Sequence, residues 1–398
     1  MVQQKLVSSE KTNEKEKICR DELSSKLNHN EWKEYQLKEI ATINPKTGEI
    51  PKKFCYIDLE SVQSGLLMSK KIIHSDEAPS RAQRVLKPND ILYQTVRPYQ
   101  KNNLFFEFTD MDYVASTGYA QIRTNKLCTP EFLYYLLHTE KFVNNVLARC
   151  TGTSYPAINS NDLKKIKVKV PEIPIQMKIE NIIISIDKKI ELLEKKLVLY
   201  QKFNESMKEE LFTNFEPYTK LRLNKFLKES KIKSKDNINR RLTVKLNLKG
   251  ITKREVKSVE KEGATTQYLR KEGQFIYGKQ NLHKGAFGII PKELDNYLSS
   301  SDIPSFDFIE DTVNPMWFYF YFSRKSFYIK LERFSIGTGS KRISPDEFLN
   351  IQISIPELTI QNKQAEFLNN LNKKENVLKN EISSMKIYKK YLLQKMFV

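Results

Sequence analysis

The chain has 398 residues, room for two or three domains that each bury a core. Its 67 Lys and Arg against 48 Asp and Glu leave a net charge of +19, the balance of a folded protein facing a polyanion, most often nucleic acid, although a lysine-rich solvated surface gives the same excess. No apolar run is long enough to cross a bilayer, and Cys19, Cys55, Cys128 and Cys150 lack paired spacing. The pattern therefore excludes a membrane span, a zinc framework and a disulfide scaffold, and the expectation is a soluble protein of a reducing cytoplasm.

Residues 1–30 are polar and balanced in charge, in the manner of a frayed or solvent-facing helix. From Trp32 the pattern turns to short strands and turns: Gln36 to Ile40, a turn at Asn44 to Gly48, then strands over Phe54 to Leu59, Asp90 to Val96 and Tyr113 to Thr124. A helix is predicted from Glu131 to about Leu147 after Pro130, with Tyr134 and Tyr135 inside its apolar run as core. The mixture predicts an α+β globule closing near Val170.

Past Pro171 and Pro174 the period changes to alternating steps of three and four: Ile183, Ile186, Ile190, Leu193, Leu197, Tyr200, Asn204, Met207 and Leu211. That is the seam of a coiled-coil helix. A second seam runs through Leu368, Leu371, Glu375, Leu378, Ile382, Met385, Lys389, Leu392 and Met396. Between them Lys220 to Lys257 holds fourteen Lys and Arg against Glu229, Asp236 and Glu255.

The second seam belongs to a longer echo. Gly152-Thr153, Ile158, Leu163, Ile166, Val168, Val170, Pro171-Glu172 and Ile175-Gln176 return 185 residues later as Gly337-Thr338, Ile343, Phe348, Ile351, Ile353, Ile355, Pro356-Glu357 and Ile360-Gln361. Upstream, Pro130 and the aromatic run after it match Pro315 and Trp317 to Phe320; with one residue of slippage, Lys87 to Tyr93 matches Lys271 to Tyr277. A repeat this long means two domains of one fold rather than a solenoid. If the helices pair antiparallel, the chain is pseudo-two-fold, and a seam from Ile183 to Leu211 spans roughly 42 Å, about twelve base pairs of duplex.

Three segments per globule carry groups suited to phosphates and base edges. The first follows the Lys87 to Tyr93 strand and offers Gln94, Thr95, Arg97, Tyr99, Gln100, Lys101, Asn102 and Asn103; its counterpart offers Lys279, Gln280, Asn281, His283 and Lys284. The second is Ser116, Thr117 and Tyr119 around Gly118, against Ser299, Ser300 and Ser301. The third is Thr153, Ser154 and Tyr155 after Gly152, against Ser340, Lys341 and Arg342 after Gly339, where the basic pair resembles a phosphate clamp. Arg240 and Arg241 sit in the most basic stretch and are further candidates for the second head. Each polar segment reads equally as a solvated turn.

Catalytic patterns are fragmentary. Asn44-Pro45-Lys46 and Asn314-Pro315-Met316 lack the second proline of a base-holding tetrapeptide, and Gly337-Thr338-Gly339 is a piece of a cofactor loop. No phosphate-binding G-x4-G-K-[ST] occurs, and His29, His74, His138 and His283 have no metal-ligand spacing. Pro345-Asp346-Glu347 reads as a helix start rather than a nuclease triplet.

The order basic globule, Gly-Thr to Ile-Gln junction, long heptad helix, repeated once from Trp32 to Val398, resembles the specificity (S) subunit of Type I restriction-modification systems. The resemblance implies a first target-recognition domain over 31–173, a spacer helix over 174–214, a second recognition domain over 215–358 and a second spacer over 359–398, after the extension 1–30. It also implies a non-catalytic subunit reading a bipartite asymmetric site in double-stranded DNA, with no cofactor of its own. Two methyltransferase (M) subunits using S-adenosylmethionine would dock on the helices, and motor-nuclease (R) subunits using ATP and Mg would join for cleavage. Two readings stay open beside it: the specificity subunit of a Type II bipartite enzyme, distinguished by a fused nuclease-methyltransferase partner, and a coiled-coil scaffold that binds nucleic acid without reading sequence, distinguished by equal affinity for all duplexes.

Overall fold

The computed structural model describes residues 31–46, 48–213, 218–255, 263, 265–309, 312–336 and 341–397, so the extension 1–30 and the loop 337–340 lie outside the described residues. The chain divides into two compact units that do not follow chain order. One holds residues up to 192 together with 382–398; the other holds 193–381.

In the first unit, one antiparallel sheet runs Ala41–Ile43, Tyr119–Thr124, Asp90–Gln94, Leu104–Phe106. A second runs Lys71–His74, Lys53–Ile57, Tyr113–Ser116, Ala82–Val85, with the middle pair parallel. The expected strand from Tyr113 to Thr124 is thus two strands in different sheets, turned at Thr117-Gly118. Two further expectations are corrected. Leu37–Ile40 is a single helical turn between the strands Lys33–Gln36 and Ala41–Ile43, because Leu37 and Ile40 both face the core. The helix after Thr129 is broken into Pro130–Leu136 and Glu140–Leu147, because Thr139 closes the first on Leu136 O and caps the second on Phe142 N.

The second unit repeats this plan. Its main sheet runs Leu227–Ser230, Ser305–Phe308, Phe275–Tyr277, Phe287–Ile289, and Gln267–Arg270 pairs with Tyr297–Ser300 as Ala82–Val85 pairs with Tyr113–Ser116. Every apolar position of the sequence echo from Ile158 to Val170 is buried in both copies, Ile158 with Ile343, Leu163 with Phe348, Ile166 with Ile351. The repeated glutamine joins two elements in each copy. Gln176 donates to Pro171 O at 2.8 Å and accepts from Thr129 N at 2.9 Å, while Gln361 donates to Pro356 O at 2.8 Å and accepts from Asn314 N at 2.9 Å. A buried amide that satisfies backbone groups on two elements locks the long helix to its globule. Of the paired aromatics, Tyr135 and Phe320 are core, while Tyr134 and Tyr319 are half-buried and packed against it.

The long helices span Ile173–Leu211 and Leu358–Met396. Within the first unit, Ile183, Ile186 and Ile190 share a core with Leu392, Met396 and Phe397, with Met385 packed against it. Lys389 reaches Asp187 at 2.7 Å. Within the second, Leu368 and Leu371 form a core against which Tyr200, Met207 and Leu211 pack, and Gln201 and Asn204 donate to Glu375, each at 3.0 Å. Within the second unit Asn204 meets Glu375 and, further along, Leu211 O meets Gln364, so one helix's numbers rise as the other's fall and the pairing there is antiparallel. Leu378 and Ile382 are buried, and Leu193 and Leu197 are half-buried between exposed neighbours. Polar pairs at Asn204–Glu375 and Asp187–Lys389 interrupt the apolar seam, the device by which coiled coils fix register. No helix among the described residues is long and apolar enough to cross a membrane.

Candidate nucleic-acid interface

The three sequence segments converge on one residue in each unit. Thr95, at the exit of the strand Asp90–Gln94, donates its N–H to Gly118 O at 3.1 Å and accepts from Ile158 N at 3.0 Å. Lys279, at the exit of Phe275–Tyr277, donates to Asp302 O at 3.0 Å and accepts from Ile343 N at 3.0 Å. The second segment is thus tied to one side of this residue and the third to the other, by the same two bonds in both copies. Antiparallel bridges close the third segment at Thr151 and Ala157 in one unit, and at Ile336 and Arg342 in the other.

Several candidates belong to the scaffold. Tyr119 is fully buried under the sheet, and Ser116 is buried with its hydroxyl accepting from Gly118 N, so both correct the expectation of a contact surface. Gln94 and Asn103 are buried and pin the loop between them: Asn103 Oδ1 accepts from Gln94 N at 2.8 Å, and Gln94 bonds Gln100 and Asn102 N. Asn102 Oδ1 accepts from Ser64 N at 3.1 Å, and Thr95 donates its hydroxyl to Gly118 O at 2.7 Å. Lys101 donates to His138 O at 3.0 Å and Glu140 at 3.1 Å, and that bond holds the Glu140 carboxyl below its usual range. No local pattern marks His138 or Glu140 as its partners, which lie 37 and 39 residues away. In the second unit Arg241 is buried on Asp236, and Ser299 is buried as acceptor for Arg270 at 2.6 Å.

The solvent-facing groups are fewer. Tyr99, Thr153, Ser154 and Tyr155 are exposed, Arg97 and Thr117 are half-buried, and the Arg97 guanidinium lies over the Tyr155 ring at 4.2 Å. Gly152 shapes this loop: its φ is +89°, and a Cβ there would stand 3.1 Å from Tyr155 O. In the second unit Arg240 and Lys284 are exposed, and Lys279, Asn281, His283 and Ser300 half-buried, with burial pushing the His283 imidazole down. Lys279 and the exposed Ser301 line a cavity of about 250 Å³ with Tyr268 and Lys231. Lys341 and Arg342 are exposed and already paired, with Glu332 at 2.9 Å and Asp302 at 2.9 Å, carboxylates that the sequence did not flag. Ser340 lies outside the described residues.

Two of the motifs with a catalytic look are helix caps, while Gly337-Thr338-Gly339 lies outside the described residues. Asn314 caps the helix Pro315–Phe322 by accepting from Met316 N and Trp317 N, and Ser344 with Glu347 forms a capping box around Pro345.

Two α+β heads of one topology, each presenting a polar loop cluster and each carried on paired helices, define a two-headed binding architecture. The family model for the Type I restriction modification DNA specificity domain matches residues 29–199 and 221–384, and the chain belongs to that family. The Type I restriction enzyme HindI specificity subunit of Haemophilus influenzae is 28% identical over 200 residues, which is 47% of this chain and 42% of that protein, so the match spans less than half of the relative. Among solved structures, a chain from a type I R-M system described for its complex assembly and conformational transition covers 92% of this chain and 97% of itself, at 20% identity and TM-score 0.60. The Type-I restriction-modification S subunit from M. genitalium covers 94% and 98%, at 15% identity and TM-score 0.56. The HsdS subunit from Thermoanaerobacter tengcongensis covers 92% and 96%, at 20% identity and TM-score 0.50. These likenesses show a common fold.

Proposed function

We propose that the chain is the DNA-reading specificity subunit of a Type I restriction-modification complex, in which the segments 31–173 and 215–358 each recognise one half of a bipartite asymmetric duplex site. The observation that carries this reading is the convergence of three loop segments on Thr95 and on Lys279 by identical backbone bonds, with unlike side chains around them. One scaffold with two loop chemistries is what two unequal half-sites require. The net charge of +19 supplies the sequence-independent attraction to phosphate.

The chemistry belongs to partners in this reading: adenine-N6 methylation by two M subunits with S-adenosylmethionine, and ATP-dependent cleavage by R subunits. The capping roles of Asn314-Pro315 and Pro345-Asp346-Glu347 favour a non-catalytic chain. M docking on the helices is supported by apolar side chains outside the seam, among them Leu192, Val198, Leu199, Val377 and Ile387, all more than half exposed. A protein of this kind works in the cytoplasm beside the chromosome.

The test is single-molecule methylome sequencing of a methylation-free host expressing this chain with its neighbouring methyltransferase, against the methyltransferase alone. A new split motif with N6-methyladenine in both halves is the expected result. No motif from a verified, active complex would transfer the reading to a scaffold that binds all duplexes alike.

A further inference from the structure

The bonds at Thr95 and Lys279 put the heads in register, offset by 184 between Thr95 with Gly118 and Lys279 with Asp302, and by 185 between Ile158 and Ile343. Three residues further on, each head enters one short 3-10 turn, Pro98–Gln100 in the first and Leu282–Lys284 in the second. The residue that opens the turn is Arg97 in one and Asn281 in the other. Arginine forks onto O6 and N7 of guanine, and asparagine pairs with N6 and N7 of adenine. Positions matched in register, though with φ +54° at Arg97 and −129° at Asn281, thus carry the side chains suited to a G·C pair in one head and an A·T pair in the other.

Arg97 and the exposed Tyr99 are the side chains of this loop that form no hydrogen bond to the scaffold among the described contacts, and of the two only Arg97 has a fork for a base edge. Gln94, Lys101, Asn102 and Asn103 are spent on internal bonds. Arg97 instead holds a left-handed backbone, φ +54°, which costs a non-glycine residue energy and needs a reason. Its guanidinium is stacked on Tyr155, a ring 65% exposed, and its Nε is buried with no hydrogen-bond partner. A strained backbone and a guanidinium plane stacked on an exposed ring, on one residue, are the marks of a fork held ready for a planar partner, with its ordering cost already met.

We propose that Arg97 and Asn281 are the paired base-reading residues of the two heads, Arg97 taking the guanine of a G·C pair in one half-site and Asn281 the adenine of an A·T pair in the other. The inference rests on the two-headed DNA reading above and adds the residue and base assignment to it.

The experiment uses the full chain with its methyltransferase, as wild type, R97K, R97A and N281A. Methylation motifs are sequenced, and the assembled complexes are titrated by competition with duplexes carrying each single base-pair replacement. Co-purification of the methyltransferase checks assembly. Both Arg97 variants should lose preference at one G·C position of one half-site by about 10- to 100-fold, with the other half unchanged. N281A should do the same at one A·T position of the opposite half. In the wild-type complex, 7-deazaguanine at that one guanine should cost as much, and it should cost R97K nothing further. Uniform weakening on all duplexes would make Arg97 a phosphate contact and overturn the assignment. So would a wild-type complex indifferent to 7-deazaguanine at every guanine of its motif, whatever the variants do. A wild type that yields no split motif removes the reading itself, an outcome distinct from a motif that survives R97A intact.

Discussion

Asp90 and Gln274 occupy the same place in the two heads, and the polar knots built around them differ in charge. Asp90 is fully buried and accepts from Lys87 N at 2.7 Å, Gln121 at 2.7 Å, and both arms of Arg123 at 2.7 and 2.8 Å. At the matching positions Gln274 accepts from Lys271 N at 3.0 Å and Ser305 at 2.8 Å, and donates to Asp307 at 2.7 Å. The carboxylate has moved from the strand start to the position of Arg123, and a neutral amide stands between. The second head buries a cation instead: Arg270, 1% exposed, bonds Ser299, Ser305, Ser230 O and Ile303 O, and burial pushes it down to about 10. Backbone connectivity was kept while the polar interior was rewritten, so the heads differ beneath their loops as well as in them.

Asp90→Ala should therefore separate the heads most strongly. It leaves Arg123 and Lys87 N without their acceptor and Gln121 with Val85 O alone, at a cost of about 3 kcal/mol to the first unit. Gln274→Ala removes a neutral amide, and Asp307 can turn to water, so about 1 kcal/mol is expected in the second. Amide exchange read separately on Tyr119–Thr124 and Ser305–Phe308 checks the pair. Equal losses of protection would mean that the charged knot contributes no more than the neutral one.

The parts of this architecture that sequence exposed are those with one cause per residue. The echoed apolar positions from Ile158 to Val170 are core in both copies, and Gln176 and Gln361 repeat because each ties the same backbone groups. The heptads were legible because each seam faces one partner helix. The helix break at Leu137 to Thr139 was not, since Thr139 both ends one helix and caps the next without a Gly or Pro to mark it. Among site residues, Gln94, Ser116, Tyr119 and Arg241 have the side chains of a contact surface, but burial consumes them, and residue type alone does not distinguish a lock from a reader. Arg97 and Tyr155 were each visible, whereas their stacking depends on a left-handed φ and a contact across 58 positions.

Acid should act on one head before the other. His138 donates from Nδ1 to Tyr134 O at 2.7 Å and faces Asn103 Nδ2 with Nε2 at 3.2 Å, so the ring is held neutral. Burial pushes it down to about 4, with Lys389 and Lys101 acting the same way against the Tyr134 carbonyl and Asp187; Glu140 lies beyond Lys101. Between its ordinary value near 6.5 and about 4, the unfolded chain takes a proton that the folded chain refuses. Stability from this group is complete above pH 6.5 and is lost as pH falls toward 4, on the order of 2 kcal/mol after allowance for a partly open ring. The second head has Ser323 in register, and its own lowered imidazole, His283, is the less deeply buried of the two, so its acid loss should be the smaller. Amide exchange at pH 7 and pH 5 should show the first unit loosening more, and His138→Gln should flatten that difference. An unchanged pH slope in the variant would assign the acid sensitivity elsewhere.

The smallest effect tests the turn that holds the proposed readers. Lys101 and Gly285 close the two 3-10 turns in register, both left-handed, at φ +55° and +73°. In the first head a lysine bears that conformation and recovers its cost through bonds to His138 O and Glu140. Lys101→Gly relieves about 1 kcal/mol of backbone strain and forfeits a partly exposed pair worth about as much, so the first unit should change little. Gly285→Ala has no such offset, because its Cβ would stand 3.1 Å from Leu248 N, and about 1 kcal/mol should be lost. Thermal unfolding of the two variants in complex measures the asymmetry. A Lys101→Gly variant that also shifts the methylated motif would place Lys101 on the DNA and break the division between locked and reading residues.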